Sequence, residues 1–222
     1  GVTLTNVVVK ESPEWLKNNL KLIGIRPINN IVDVTNFVLF ETGQPLHAFD
    51  AAEIKGGKVV VRTAAAGSKF VTLDGIEREM NQDDLLICNE TEGMCIAGVF
   101  GGLHSGVKDS TTSVFLESAW WDPITIAATG RALKINSDAR YRFERGVDPA
   151  FTLPGLELAT QMILDLCGGE AGTVVQDGAP IDTTRHYQLN PARVVSLVGM
   201  EIPEATQRAT LEALGFALNG NT

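Results

Sequence analysis

Three features of this chain could act on a polar substrate: His47, Glu117 and the pair Gly101-Gly102. His47 follows Gln44-Pro45 and precedes Ala48-Phe49-Asp50, in an expected turn whose rigid proline would hold the imidazole in a defined direction. On the residues alone, the simpler reading is a hydrogen-bonded structural histidine. Glu117 ends the apolar run Ser113-Val114-Phe115-Leu116 and precedes Ser118-Ala119-Trp120-Trp121. A carboxylate in that position caps a helix, meets solvent at a strand end or, inside an aromatic pocket, accepts a phenolic hydroxyl. Gly101-Gly102 follows an apolar strand pattern, where missing side chains let the backbone approach a ligand; a plain sheet turn is the alternative. The Gly-x-x-x-x-Gly-Lys and Gly-x-Gly-x-x-Gly patterns of phosphate loops are absent. His104 and His186 have no partner pattern, and no Ser/His/Asp, Cys/His or metal-ligand spacing is visible.

The elements that must position these groups read coarsely as α/β of the α+β type, a mixed β-sheet with flanking helices followed by a short truncated helical segment. Ser12-Pro13-Glu14-Trp15 predicts a helix start with Ser12 as N-cap, and Trp15, Leu16, Leu20 and Ile23 form its face before Gly24. A second helix is predicted from about Ile31 to Phe40, ending near Gly43. Short β-rich runs follow at 58–62, 84–88, 95–99 and 113–117, punctuated by Asp74-Gly75 and Gly101-Gly102. Helices return at about 122–133 and 151–167, the second with a stripe of Leu156, Ala159, Ile163 and Leu166. Gly172-Thr173-Val174-Val175 reads as a strand, and Asp177-Gly178-Ala179-Pro180 reads as a boundary. Residues 1–180 are therefore expected to form one domain. In 181–222, Asn190-Pro191 and Pro203-Glu204 open two short helices.

The chain has 222 residues, 44% apolar and 20% charged, which is the composition of a globular protein and excludes a disordered one. No stretch reaches about 18 uninterrupted apolar residues, and no basic-plus-apolar leader opens the sequence, so no membrane partner is expected. Cys88, Cys95 and Cys167 lack paired or metal-ligand spacing, which points to buried thiols and a cytoplasmic location. A net charge of −9 leaves this piece without the basic surface that would hold a polyanion by itself. The absent initiator Met and the ending Leu218-Asn219-Gly220-Asn221-Thr222 read as a piece excised from a longer chain.

Four ordered blocks carry a family resemblance. They are Asn29 through Asp50, containing Gly43-Gln44-Pro45-Leu46-His47-Ala48-Phe49-Asp50; Ala97-Gly98-Val99-Phe100-Gly101-Gly102; Leu116-Glu117-Ser118-Ala119; and Arg142-Phe143-Glu144-Arg145-Gly146-Val147-Asp148-Pro149. Together they resemble the β subunit of bacterial phenylalanyl-tRNA synthetases, in the region that forms the editing domain. The resemblance implies that residues 1–180 are that domain and that 181–222 open the next β-subunit module, truncated. It implies hydrolysis of the ester of mischarged tyrosyl-tRNA(Phe), with His47 and Asn36 at the catalytic position. It further implies Arg26, Pro45, Gly101, Glu117, Ser137 and Ala139 as substrate-binding, with no metal in this piece. Arg140 departs from the family, which commonly has a small polar residue there, and so bears on the pocket rim. By the same resemblance, the parent enzyme uses ATP and Mg2+ on a separate α subunit, joins two α with two β subunits, and receives the 3′ end of tRNA(Phe).

The chemistry has a physical motive. An apolar pocket rejects a substrate bearing one extra hydroxyl by only about a hundredfold, whereas a second site built to bond that hydroxyl excludes the analogue lacking it by roughly 10⁴–10⁵. The rival reading is a noncatalytic RNA-docking or assembly module of the same enzyme. The basic residues Arg131, Lys134, Arg140, Arg142 and Arg145 interleave with Asp138, Glu144 and Asp148, and read as an ion-paired scaffold rather than an RNA stripe.

Overall fold

Capping chemistry sets the helices that frame the site. In the computed structural model, which describes residues 1–220, helix α1 spans Glu14–Leu22 and α2 spans Asn30–Thr42. The Asn29 side chain accepts from the backbone of Ile31 and Val32, and Gly43 closes α2 at φ 82°, a left-handed conformation that suits glycine. The N-cap of α1 is Pro13 rather than Ser12. The Ser12 hydroxyl instead donates to Asp33 Oδ2 of α2 at 2.6 Å, so this side chain makes a tertiary contact rather than a local cap. Leu16 and Leu20 are fully buried, while Trp15 and Ile23 are exposed, which narrows the apolar face of α1 to one side.

The strands are β1 (Val2–Thr5), β2 (Leu46–Asp50), β3 (Val60–Thr63), β4 (Lys69–Val71), β5 (Glu77–Glu79), β6 (Leu85–Cys88), β7 (Gly93–Ile96), β8 (Phe100–Gly101), β9 (Ser113–Ser118) and β10 (Glu170–Ala171). Among the described residues every named pairing is antiparallel. The strands make separate sheets, ordered β10-β1-β9-β2, β3-β6-β7-β8 and β4-β5. The α+β class holds, with helices flanking these sheets. The run at 95–99 does not stay extended: Ala97-Gly98-Val99 turns the chain from β7 into β8, with Gly98 at φ 66°. Gly172–Val175 is not a strand: the ladder register with β1 ends at Ala171, although the Gly172 N–H still donates to the Thr3 carbonyl and the Val175 N–H to that of Gly1, each at 2.8 Å.

Helices α3 (Pro123–Ala132), α4 (Asp138–Phe143) and α5 (Thr152–Cys167) complete the frame. Asp122 caps α3 and Ser137 caps α4; the second is a short helix hidden from sequence reading in the charged run. Leu156, Ala159 and Ile163 of α5 are buried with Leu4, Val34, Val38 and Leu116, which fastens α2 and α5 to the sheet carrying β2 and β9. A second cluster, including Ile96, Val99, Ile126 and Phe143, ties the β7–β8 hairpin to α3 and α4.

The chain divides into two compact units, Gly1–Ala179 and Pro180–Thr222. The second contains α6 (Pro191–Val198), capped by Asn190 and ended by Gly199 at φ 76°, and α7 (Glu204–Ala213).

Candidate functional site

His47 lies on strand β2 rather than in the turn its sequence context suggests, and the β2–β9 ladder places it directly opposite Glu117. Cross-strand partners share one face of a sheet, so the two side chains point the same way. That face opens into a cavity of about 570 Å³ within the first unit. Helix α2 contributes a stripe of Val32, Thr35, Asn36 and Leu39 at helical spacing, the β7–β8 hairpin contributes Gly98, Val99, Phe100 and Gly101, and α4 contributes Ala139 and Phe143. Elements distant in sequence thus converge on one wall.

Of the residues singled out in the sequence, Asn36, Pro45, His47, Gly101, Glu117, Ser137 and Ala139 all line this cavity. Arg26 does not. It is exposed in the segment between α1 and α2, two residues before Ile28, which does reach the wall. Arg140 also lies outside the wall. Its guanidinium donates to the Ile135 carbonyl at 2.6 Å and to Glu144 at 2.9 Å, and it packs over Gly130, so the departure at this position is absorbed by the α3–α4 corner. No lysine or arginine is among the lining residues.

Gly101 earns its place by what a side chain would hit. A Cβ there would lie 2.7 Å from Leu73 Cδ1 and 3.0 Å from His47 Cε1. Its carbonyl accepts from the Leu73 backbone at 3.0 Å, which fixes the β4–β5 hairpin tip beside the histidine. Ser137 is already engaged at both ends: its hydroxyl donates to the Val99 carbonyl at 2.6 Å and accepts from the Arg140 backbone at 3.0 Å. Ser137 therefore anchors the Gly98–Gly101 turn to α4 while facing the cavity. The interleaved charges pair locally, Arg142 with Asp138 and Arg145 with Glu144.

The two titratable groups on the shared face are shifted in opposite directions. Burial drives His47 down to about 4, so its ring is neutral at physiological pH. Its Nε2 is buried without a hydrogen-bond partner, and the ring stands edge-on to Phe49 with centroids 4.4 Å apart. Burial raises Glu117 to about 7, an effect the amine of Gly1 offsets only in part. No hydrogen bond to its carboxylate is found among the described residues. Cys95, also on the wall, is pushed well above its ordinary value by burial and then by the Glu117 charge; a neutral thiol is no nucleophile at neutral pH. An uncharged imidazole and a titrating carboxyl, both free of protein partners, are equipped to receive a ligand that carries its own polar groups.

Leu73, Cys95, Trp121 and Phe143 also line the cavity and were not singled out by sequence. Asp74-Gly75 marked the turn that carries Leu73, and Trp121 lies four residues past Glu117, but nothing local told that these would meet. The second unit has its own cavity of about 410 Å³, bordered by Tyr187, Pro191, Leu211 and Phe216 among others. His186 is on its wall, and it gathers none of the catalytic or substrate-binding residues that the resemblance implies. Among the described residues no group of His, Cys, Asp and Glu is arranged to hold a metal ion, and no helix is long and apolar enough to cross a membrane.

Comparison with known proteins agrees with the sequence blocks. The B3/4 domain family matches residues 1–168. The phenylalanine–tRNA ligase beta subunit of Cereibacter sphaeroides is 59% identical over 220 residues, 99% of this chain and 27% of that protein. Those of Ruegeria pomeroyi and Bacteroides fragilis (strain YCH46) are 55% identical over 95% of the chain and 49% identical over 100%, covering 26% and 27% of their lengths. The chain spans about a quarter of the length of these curated relatives. It belongs to the B3/4 domain family and corresponds to that region of a phenylalanine–tRNA ligase beta subunit.

Proposed function

We propose that this member of the B3/4 domain family is the editing domain of a phenylalanine–tRNA ligase, hydrolysing the ester of tyrosine misattached to tRNA(Phe). The observation that carries the reading is the register pair His47–Glu117, two polar groups without protein partners facing one cavity. Water adds to the ester carbonyl, the bond to the ribose oxygen breaks, and tyrosine and the free ribose hydroxyl leave. Glu117 accepts the phenolic hydroxyl, a bond that phenylalanine cannot make. His47, neutral at physiological pH, orients the ester or the water rather than acting as a strong base, and Asn36 assists from α2. The neighbouring ribose hydroxyl is held close enough to take part. Pro45 and Ala139 shape the walls, Gly101 keeps the space beside the imidazole open, and Arg26 approaches only if its segment moves on tRNA binding.

In this reading residues 1–180 are the editing domain and 181–222 begin the next module of the β subunit. The parent enzyme, cytoplasmic and built from two α and two β subunits, charges tRNA(Phe) with ATP and Mg2+ at a site on the α subunit. The acidic charge and the absence of lysine or arginine from the cavity wall support a reading in which most of the grip on RNA lies elsewhere in that assembly. The test is deacylation by the full-length protein in its assembly. Tyrosyl-tRNA(Phe) should be hydrolysed far faster than phenylalanyl-tRNA(Phe). Binding of both without hydrolysis of either would instead establish a noncatalytic docking or assembly module.

A further inference from the structure

Gln44 is only 1% exposed and sits beside the cavity, yet the hydrolysis described above uses none of its atoms. Its Nε2 donates to two backbone carbonyls, those of Pro45 and Ala119, each at 3.0 Å. The β2–β9 register pairs Leu46 with Ser118 and His47 with Glu117, so Pro45 and Ala119 are the pair that would come next. Proline has no N–H, and the ladder loses a donor at that point. The two amide hydrogens of Gln44 supply one to each carbonyl. A side chain thus forms the rung that the backbone cannot.

Two further observations show that the rung is built rather than incidental. Gly155 of α5 leaves the space Gln44 occupies: a Cβ there would lie 2.8 Å from Gln44 Cγ and 3.1 Å from its Cβ. The Gln44 Oε1 is buried without a partner, which costs stability that an apolar side chain of equal length would not lose. The amide is kept for what its nitrogen holds.

We propose that Gln44 is a positioning residue, clamping the ends of β2 and β9 so that His47 and Glu117 stay opposed across the cavity. Its effect on turnover rests on the hydrolytic reading above; the clamp itself does not. The variant Gln44→Met keeps the length and packing and removes both donors. In the full-length protein it should lower kcat for tyrosyl-tRNA(Phe) by about 10- to 100-fold with KM changed much less, since a small misplacement of reacting groups acts on turnover. Independently of activity, the titration of His47 can be followed by NMR in the 222-residue chain carrying labelled histidine. The chain has three histidines, and His47→Ala identifies the signal. Wild type should titrate near 4, and Gln44→Met should move His47 upward by about one unit or more as the strand ends part and water reaches the ring. If Gln44→Met does not fold, Gly155→Ala displaces the amide from behind without touching the cavity wall and should give the same two changes. An unmoved His47 titration in a folded variant overturns the clamp, whether or not kcat falls. A moved titration in a protein whose wild type hydrolyses no ester upholds the clamp and rejects the hydrolytic reading instead.

Discussion

Strand β2 buries polar groups at both ends and treats them oppositely. At one end Asp50 is satisfied on both oxygens: Oδ1 accepts from the Ala52 backbone at 3.0 Å and Oδ2 from the Thr111 hydroxyl at 2.6 Å. At the other, His47 Nε2 has no partner and Glu117 beside it has none among the described residues. Leaving a buried polar group unpaired costs about 1–3 kcal/mol. The unpaired end is the one that opens into the cavity. In the reading proposed above, the missing partner is the ligand.

Blocking the unpaired end should have the largest effect. Gly101→Trp or Ala139→Trp fills the space beside His47 or on the α4 wall, and tyrosyl-tRNA(Phe) deacylation by the full-length protein should fall by about a hundredfold or more while charging with phenylalanine continues. Matched loss of both activities would break the comparison. Glu117→Ala comes next: loss of a charge-assisted bond to the phenol should slow tyrosyl-tRNA(Phe) hydrolysis by about 10- to 100-fold and narrow the preference over phenylalanyl-tRNA(Phe). Unchanged clearance would show that the carboxylate is not the acceptor.

The paired end should report in stability instead. Asp50→Ala leaves the Thr111 hydroxyl and the Ala52 N–H without their acceptor, and denaturant unfolding should show a loss of about 2–4 kcal/mol. The smallest effect is pH-dependent. Glu117, raised from 4.5 to about 7, favours the folded state fully below pH 4.5 and loses that contribution as pH rises through 7. Glu117→Gln removes the loss, so at pH 8 the variant should be more stable than wild type by roughly 1–3 kcal/mol, with the gap closing toward pH 4.5. His47 runs the other way, its contribution present above pH 6.5 and lost as pH falls through about 4, and it is unaffected by that substitution. A variant less stable than wild type at pH 8 would mean that Glu117 has a hidden structural partner.

Local chemistry explains which parts were legible in sequence. Asn190-Pro191, Asp122-Pro123, Gly43 and Gly199 each mark a helix end through interactions within a few residues, and the helices begin and end there. Ser12 misled because Asp33, distant in sequence, captures its hydroxyl. Helix α4 was missed because its six residues lie in a run whose charges read as surface. His47, Glu117 and Gly101 stood out singly, but their meeting depends on β2–β9 register and on the β7–β8 turn, which no local pattern encodes. Gln44 shows the same limit, since the carbonyl of Ala119 that it binds lies 75 residues away.

The most direct test is to offer the unpaired end its partner. Hydrolysis-resistant amides of adenosine, joined at the 3′ position to tyrosine or to phenylalanine, can be titrated into the 222-residue chain by calorimetry at pH 8, where Glu117 is ionised. The tyrosyl amide should bind at least about tenfold more tightly than the phenylalanyl amide, as expected for a single hydrogen bond to a buried carboxylate. Equal affinities, or tighter binding of the phenylalanyl amide, would contradict the claim that Glu117 and His47 are left unpaired for a hydroxylated substrate.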